Sequence, residues 1–346
     1  MSLISWNCRG LGNPRTVRDF DQMVKEKKPR FLFIMETISN KNRMERLRVK
    51  FGYEGLFVVE PVGKSGGLAL FWKVAEELEI QNYSRRHINA IVKMSDNEVH
   101  WKFTGFYGHP DPTKRMESWS LLSHLKNFAP VPWLCVGDFN KIIHQSEMVG
   151  GNRRREGQME AFRATLEDCN LGDLGFSGPK FTWSNKRQDD SFTQERLDRV
   201  VGNSGWCNLY KSVGVDVLAA RASDHNPIYV SFSNIQPCGL QGRRGFKFEA
   251  SWIPDEDCGA LIREVWDGGD DGGGAMMKVR HKLAWCKSRL IGWSRNKFGN
   301  NENVVKEKTE LLAKLQNIEG PTQHEAIKSL QTEIDSLLEF KDTRWK

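Results

Sequence analysis

The chain has 346 residues, 39% of them hydrophobic and 27% charged, a balance typical of a soluble protein and not of a membrane-embedded or disordered one. Its net charge of +7 and its pI near 9.0 favour a polyanionic partner, nucleic acid first and an anionic membrane surface second. Seven cysteines lie far apart with no C-x-x-C pair, which argues against a zinc site or a disulfide framework and indicates a reduced intracellular protein.

The N-terminal segment predicts a strand over residues 3–6 that ends at Asn7. No signal peptide is expected because the chain enters this strand at once. No apolar run approaches the roughly 18 residues of a membrane span. We therefore expect a nuclear or cytoplasmic protein that does not bind membranes. After a glycine-bearing turn, Asn13 and Pro14 predict the cap and first turn of a helix.

A carboxylate follows the second predicted strand. Residues 31–35 are apolar throughout, and Glu36 comes directly after them. A carboxylate at such a strand end stands where a metal ligand would stand. It would equally suit the cap of the helix predicted to start near Ser39, and both interpretations stay open.

Four short β-rich segments are predicted next, over residues 55–59, 68–72, 88–94 and 99–107. Apolar and polar residues alternate in the last one, which is typical of a strand with one buried face. Tyr107 ends that strand. Its phenol either points into a cleft or belongs to a packed core residue with a hydrated hydroxyl.

The central segment of the sequence is a short, fully buried strand over residues 134–136, which Gly137 is expected to end. Asp138 and Asn140 are then placed on the following loop, facing the same way because strand neighbours alternate. An acid and an amide just past a buried strand suit a cleft that handles a phosphate and a water. The alternative is an Asx turn, in which both side chains hydrogen-bond their own backbone.

Basic and aromatic residues follow this strand. Arg153, Arg154 and Arg155 form a run that either tracks a nucleic-acid backbone or is a solvated charge run. Residues 181–186 predict a strand running into a polar loop, with Trp183 as an exposed aromatic at its tip.

Two further strand ends carry ionisable residues. Asp198 lies in a predicted strand over residues 195–201, and Asp224 and His225 precede a closing strand over residues 228–232. A histidine whose second nitrogen meets a carboxylate is held in one tautomer and can stay protonated opposite a phosphate. Because so many polar clusters fall at strand ends in one chain, we favour a functional site over separate structural roles.

These residues occur in the order and motifs of a known family. The set comprises Asn7, Glu36, Tyr107, Asp138, Asn140, Asp198, Asp224 and His225. It resembles the endonuclease/exonuclease/phosphatase superfamily, with its DNase I-like fold. The opening S-W-N-C-R-G-L-G-N-P-R, with F-T-W-S-N and E-R-L-D-R, is most similar to the apurinic-type endonuclease domain of plant LINE-type (non-LTR) retrotransposons, over about residues 1–235.

The resemblance implies an α/β fold, a four-layer sandwich of two packed mixed sheets flanked by helices, with the active site at one rim. It also implies metal-dependent hydrolysis of DNA that leaves a 3′-hydroxyl and a 5′-phosphate. Mg²⁺, or Mn²⁺ as the alternative, would be held by Glu36 with support from Asp224.

The resemblance further implies a role for each remaining member of the set. Asp138 would orient and deprotonate the attacking water while Asn140 donates to the phosphate. His225, steadied by Asp198, would stabilise charge at phosphorus. Asn7 and Tyr107 would complete the ring of donors.

DNA is the expected partner. The residues expected to contact it are Arg9, Arg153, Arg154, Arg155, Trp183, Asn185 and Lys186. Arg9 departs from the family pattern, because repair-type apurinic endonucleases of this superfamily carry an aspartate there that assists the metal. The departure favours a single metal at Glu36.

The C-terminal third has a different character. Residues 236–274 form a predicted linker, with an aromatic motif at 246–252 and a Gly/Asp-rich break at 267–274. Residues 275–346 predict a helical hairpin or short coiled coil that packs back on the main domain or supports weak self-association. In the LINE-type family a similar segment leads to a reverse transcriptase, which nothing in this sequence resembles.

Three alternative functions stay open. The chain could be another phosphoesterase of the same fold, acting on inositol phosphates or sphingomyelin. It could be an inactive nucleic-acid-binding remnant of a retrotransposon, or a scaffold that works through its tail helices.

Overall fold

The structure, a computed structural model, describes residues 1–63, 65–93, 100–128, 131–233, 248, 252–253, 255–268 and 275–343, with the backbone alone at 275, 295–302, 321 and 340–343. Its strands are β1 (Ser2–Asn7), β2 (Phe31–Met35), β3 (Gly55–Val59), β4 (Leu68–Trp72), β5 (Leu78–Ser84), β6 (His87–Lys93), β7 (His100–Tyr107), β8 (Trp133–Asp138), β9 (Met148–Gly150), β10 (Gly172–Asp173), β11 (Trp183–Ser184), β12 (Thr193–Glu195), β13 (Asp198–Gly202), β14 (Ser212–Val217) and β15 (Ile228–Ser233). Its helices are α1 (Pro14–Lys27), α2 (Lys41–Phe51), α3 (Arg115–Lys126), α4 (Glu156–Asp168), α5 (Ser204–Leu209), α6 (Glu256–Asp267), α7 (Ala275–Gln316) and α8 (His324–Thr343).

Two six-stranded mixed sheets form the body of the protein. The first has the order β14-β15-β1-β2-β4-β3 and the second β10-β13-β8-β7-β6-β5. In each, one central pair is parallel, β1 with β2 and β7 with β8. A small third sheet has the order β11-β12-β9.

Apolar side chains make this architecture a four-layer sandwich, as predicted. One core cluster draws on both large sheets, for example Phe33 of β2 and Phe103 of β7. A second cluster joins the outer face of the first sheet to α1 and α2, and a third joins the outer face of the second sheet to α3 and α4. The fold class predicted for the chain is therefore confirmed.

Strand β8 extends further than predicted. Gly137 does not end it, since both Gly137 and Asp138 continue the ladder and pair with Arg199 and Asp198 of β13. Glycine is required at this position because its φ is 148° and a Cβ there would lie 1.9 Å from the carbonyl oxygen of Phe106. Asp138 is thus fixed by sheet hydrogen bonding, not by a loop.

Other boundaries also differ from the sequence prediction. The predicted strand at residues 195–201 is two strands, β12 and β13, separated by Arg196 and Leu197. Both Arg196 and the fully buried Arg199 pair with Glu147 and Asp173, at distances of 2.7–2.9 Å. These ion pairs fix the start of β13 beside β8. Strands β5, β9, β10 and β14 and helices α5 and α6 were not predicted, and α6 lies within residues 236–274, which were predicted to be a linker.

The chain divides into two compact units. Residues Met1–Cys238 and Leu311–Asp335 form one unit, and residues Gly239–Glu310 with Ser336–Lys346 form the other. Within the first unit, the side chains of Gln316 and Gln331 each donate to the carbonyl of Ala220 at 2.8 Å, and Arg18 pairs with Asp335 at 2.9 Å. The tip of the tail hairpin therefore belongs with the two sheets.

The helical periodicity of the tail predicts two apolar stripes, one of Val304, Leu311, Leu315 and Ile318 and one of Ile327, Leu330, Ile334, Leu337 and Leu338. In α7 the buried stripe lies one residue beyond the first of these. Val305 and Leu312 are buried, whereas Leu311 and Ile318, both in the predicted stripe, are exposed. In α8, by contrast, the predicted positions Leu330, Ile334 and Leu338 are buried. None of the described helices is long and apolar enough to cross a lipid bilayer.

Parts of some predicted segments lie outside the described residues. These are the end of the strand predicted at 88–94, the start of the one at 99–107, most of the aromatic motif at 246–252 and most of the Gly/Asp-rich break at 267–274.

Candidate active site

Strand ends from both sheets meet at one rim of the sandwich. Asn7 at the end of β1 pairs in register with Met35 at the end of β2, and Glu36 follows directly. In the second sheet Asp138 lies between Tyr107 of β7 and Asp198 of β13. Residues 224 and 225 reach the same rim from the loop before β15.

Four buried polar side chains cluster there. The amide of Asn7 donates to Oδ2 of Asp138 at 3.0 Å and lies 3.5 Å from Nε2 of His225. Nε2 of His225 is 3.8 Å from Asp138, and its Nδ1 is 2.8 Å from Oδ2 of Asp198. All four are at most 3% exposed.

Burial and charge set the protonation of this group. Burial, and the nearby Asp198 carboxylate, raise the pKa of Asp138 to about 7. Burial alone would lower the pKa of His225, but the carboxylates of Asp198 and Asp138 outweigh it and raise the pKa to about 9. At neutral pH the imidazole is therefore the protonated, cationic member.

The loop after β8 forms an Asx turn, one of the two interpretations of Asp138 and Asn140. The backbone N–H of Asn140 donates to Oδ1 of Asp138 at 2.8 Å, which is the Asx turn. The Asn140 amide also donates to Gly108 O at 3.0 Å and lies 3.3 Å from Oδ2 of Asp138. Asn140 has a φ of 53°, a left-handed conformation that asparagine tolerates better than most residues.

Glu36 is not a helix cap. Helix α2 begins at Lys41 and its N-cap is Asn40, whose side chain accepts from the N–H of Arg43. Oε1 of Glu36 instead accepts a hydrogen bond from the Tyr107 phenol at 2.5 Å. Burial and the nearby carboxylates raise the pKa of Tyr107, so its phenol stays protonated and donates.

A second pair of carboxylates shares one arginine. Nε of Arg9 lies 3.5 Å from Oε2 of Glu36 and 3.6 Å from Oδ1 of Asp224. The Arg9 side chain is 52% exposed, whereas those of Glu36 and Asp224 are 16% and 21% exposed. Trp183 donates from its indole N–H to Asp224 at 3.1 Å, so it is tied to this site and is not at an exposed loop tip.

Two groups of side chains could hold a divalent cation. Ligand atoms of Asp138, Asp198 and His225 lie within 4.8 Å of one another, but they are buried and already hydrogen-bonded together. Glu36 and Asp224 are partly exposed, and both carboxylates face the guanidinium of Arg9. Oδ1 of the adjacent Asn7 is buried without a partner among the described residues. Oxygen ligands of this kind suit Mg²⁺, so the Glu36–Asp224 pair fits such an ion better.

The predicted DNA-contacting residues are spread over different environments. Arg154 forms a bidentate ion pair with Glu195, at 2.6 and 2.9 Å, while Arg153 and Arg155 lack a described partner. Asn185 holds its own loop by accepting from the N–H groups of residues 187 and 193. Lys186 donates to the carbonyl of Ser223 at 2.8 Å, and burial lowers its pKa.

Some positioning residues escaped the sequence analysis. Oγ1 of Thr182 accepts from the backbone N–H of Asp198 at 2.9 Å. The Ser223 hydroxyl donates to Asn7 O at 2.8 Å and accepts from the N–H of His225 at 3.1 Å. Hydroxyl residues are common in loops, and only the fold brings these two to the rim.

The model of the Endonuclease/Exonuclease/phosphatase family matches residues 4–225. A search of curated proteins found no match.

Similar solved structures include a Neisseria 3′ phosphatase bound to a product DNA hairpin, 17% identical, with 67% of this chain and 99% of the other covered and a TM-score of 0.53. An AP endonuclease from Archaeoglobus fulgidus is 18% identical over 67% and 99% of the two chains, with a TM-score of 0.51. One from Leishmania major is 16% identical over 66% and 86%, with a TM-score of 0.50. At these identities the likeness establishes the fold.

Proposed function

The chain belongs to the endonuclease/exonuclease/phosphatase family, and from this membership we propose that it is a metal-dependent endonuclease that nicks DNA. Its products would be a 3′-hydroxyl and a 5′-phosphate. The proposal is carried by the buried cluster of Asp138, Asn7, His225 and Asp198, which lies beside the more open pair Glu36 and Asp224. One group handles protons and charge, and the other offers oxygen ligands to a cation.

The protonation states give each buried residue a task. Asp138, poised near neutrality, accepts the proton of the attacking water, and the Asx turn keeps its second oxygen fixed. His225, held protonated by Asp198, places positive charge where the phosphorane gains negative charge. The amides of Asn7 and Asn140 supply further donors to phosphate oxygens.

The divalent cation would be held by Glu36 and Asp224, with Oδ1 of Asn7 available as a neighbouring oxygen. When bound it supplies charge neutralisation at a nonbridging phosphate oxygen. Tyr107 orients Glu36 through the phenol hydrogen bond. Arg9 balances the same two carboxylates and lies at the mouth of the site, where it also suits an incoming phosphate.

DNA is the substrate that the charge of the chain favours. The net charge is +7, and basic side chains flank the rim at Arg9, Arg86 and Lys186. The sequence motifs quoted above further support an origin in a LINE-type retrotransposon. Inositol phosphates would need recognition of a small, highly charged headgroup, so substrate assays separate the two.

The decisive experiment is a supercoiled-plasmid assay with Mg²⁺, with Mn²⁺ and with EDTA. The proposal expects nicked circles with either metal and none with EDTA. The His225→Gln variant should be inactive, and its unfolding temperature is measured beside it because removal of a buried cation between two carboxylates also destabilises the fold. Phosphoinositide hydrolysis without nicking would show that the protein is another phosphoesterase of this fold. If it shows neither activity, the alternative of an inactive nucleic-acid-binding remnant is favoured.

A further inference from the structure

A basic pocket lies next to the candidate site, on the second sheet's side of the rim. It has a volume of about 580 Å³ and is open to solvent. Its walls come from the start of α3, the segment after β8 and the start of α4. The residues that matter are Arg115, Lys141, Arg154, Arg155, Gly157 and Gln158. None of the described residues that line it is acidic.

Lys141 is the unusual residue of this pocket. It is only 1% exposed, and its ammonium makes one hydrogen bond among the described residues, to the neutral Oε1 of Gln158 at 3.0 Å. Lysines are rarely buried without an anionic partner. Burial, with the neighbouring Arg115 and Arg154, lowers the pKa of Lys141 to about 8. Among the described residues no carboxylate forms an ion pair with its ammonium.

Arg115 lacks a counterion too. Its Nε is buried without a partner in the described part of the chain, and Nη2 makes only a long contact of 3.4 Å to the Pro110 carbonyl. The acids whose charge acts on Arg115 have other partners: Glu195 pairs with Arg154, Asp111 accepts from Thr113, and Asp138 accepts from Asn7 and Asn140. Glu156, which acts on Lys141, pairs with Arg163 at 2.6 Å. Two cations are therefore available to an anion.

The N-terminus of α4 adds a further attraction for negative charge. Its N-cap residue is Arg155, which makes no side-chain capping bond, and Gly157 of the first turn lines the pocket. Unpaired backbone N–H groups at a helix start carry partial positive charge and favour phosphate. Lys141, Arg115 and this helix end thus point to the same ligand class by independent features.

We propose that this pocket binds one internal phosphate of the substrate strand, next to the phosphate that is cleaved. This proposal rests on the proposed DNA-nicking function. The pocket is close to the reaction site because Lys141 directly follows Asn140 in the chain. Its role is to set the register of the strand against Asp138. It is a binding site distinct from the Glu36–Asp224 pair.

The test uses a short DNA duplex in which single phosphates around the nick are replaced, one at a time, by neutral methylphosphonates. Binding is measured by anisotropy in EDTA, so that no cleavage occurs. One position should weaken wild-type binding by about tenfold, the size of a lost charged hydrogen bond. At that position the Lys141→Gln and Arg115→Gln variants should lose little further affinity, because the contact is already gone.

Controls separate this site from general charge. Lys126→Gln removes an exposed charge on α3 outside the pocket and should keep the full methylphosphonate effect. The salt slope of binding should fall by about 0.9 in each pocket variant. If the variants keep the wild-type effect at every position, or if only a duplex with a 5′-terminal phosphate shows the effect, the internal-phosphate assignment is wrong. Absence of Mg²⁺-dependent nicking with this coupling intact would instead overturn the proposed function alone.

Discussion

At the scale of single residues, Glu36 has the most direct consequence for activity. Glu36→Gln keeps a hydrogen-bond acceptor for Tyr107 but removes the carboxylate charge. We expect nicking to fall by roughly a thousandfold or more, because the cation loses its main anchor. Calorimetric titration with Mn²⁺ measures the loss of metal affinity, and plasmid nicking measures the loss of activity. Near wild-type nicking at saturating Mg²⁺ would remove Glu36 from the ligand set.

Replacing Arg9 should have the opposite effect on metal affinity. It shares the carboxylates of Glu36 and Asp224, so a divalent cation and Arg9 compete for the same negative charge. Arg9→Gln should therefore bind Ca²⁺ or Mn²⁺ several-fold more tightly in the absence of DNA, a modest gain because the arginine is half exposed. Arg153→Gln removes the same charge from a loop away from these carboxylates and serves as the control. Equal or weaker metal binding by Arg9→Gln would mean that Arg9 is not a competitor.

Asp198 sets the pH range of the reaction. It raises the pKa of both His225 and Asp138, so activity should rise with pH through about 7 and fall through about 9. Asp198→Asn removes that negative charge and lowers both pKa values. The whole bell-shaped profile of kcat/KM should then move to lower pH, with the limbs belonging to the coupled pair and not to either residue. A profile that only loses height would show that Asp198 acts by packing.

At the scale of elements, the close packing of β7 against β8 restricts which residues can occupy position 137. Gly137→Ala would place a methyl group against the Phe106 carbonyl, in a backbone conformation that alanine avoids. We expect a loss of about 3 kcal/mol in the free energy of unfolding, measured by urea denaturation. Gly157→Ala, at an open position in α4, is the matched control and should change little. Equal stability of the two variants would mean that β8 can shift at Gly137.

Some elements could be predicted from the sequence and others could not. Buried strands such as β2 and β8 are recognisable because short apolar runs identify them, and the polar residues at their ends could be placed at a common rim. The extension of β8 through Gly137 could not be predicted, because a glycine ordinarily ends a run and here a close approach to β7 requires it. Lys141 escaped notice since a lysine after a polar motif is normally exposed.

At the scale of the whole molecule, the tail hairpin should matter for stability more than for chemistry. A chain ending at residue 235 keeps every proposed active-site residue. It loses the contacts of Gln316 and Gln331 with Ala220 and of Asp335 with Arg18. We expect nicking within a few-fold of the full chain and an unfolding temperature lower by about 5–10 °C.

The reference for this comparison is the full chain carrying Gln331→Ala, which should show a small part of the same shift. A chain ending at residue 260 separates the linker from the hairpin. If only the full chain folds cooperatively and nicks DNA, the hairpin is an integral part of the nuclease and the boundary at 235 is misplaced.

The position of β1 has a consequence for how the protein is made. This first strand is an inner strand, with β2 on one side and β15 on the other, and the amino group of Met1 donates to Phe232 O at 2.7 Å. A ribosome that adds 5–20 residues per second delivers β15 roughly 10 to 45 s after β1. Throughout that interval the nascent chain carries an apolar strand with one open edge, the arrangement most prone to pair with another chain. Crowded translation of a single message, where neighbouring nascent chains expose the same edge together, is therefore the situation in which this protein most needs a chaperone.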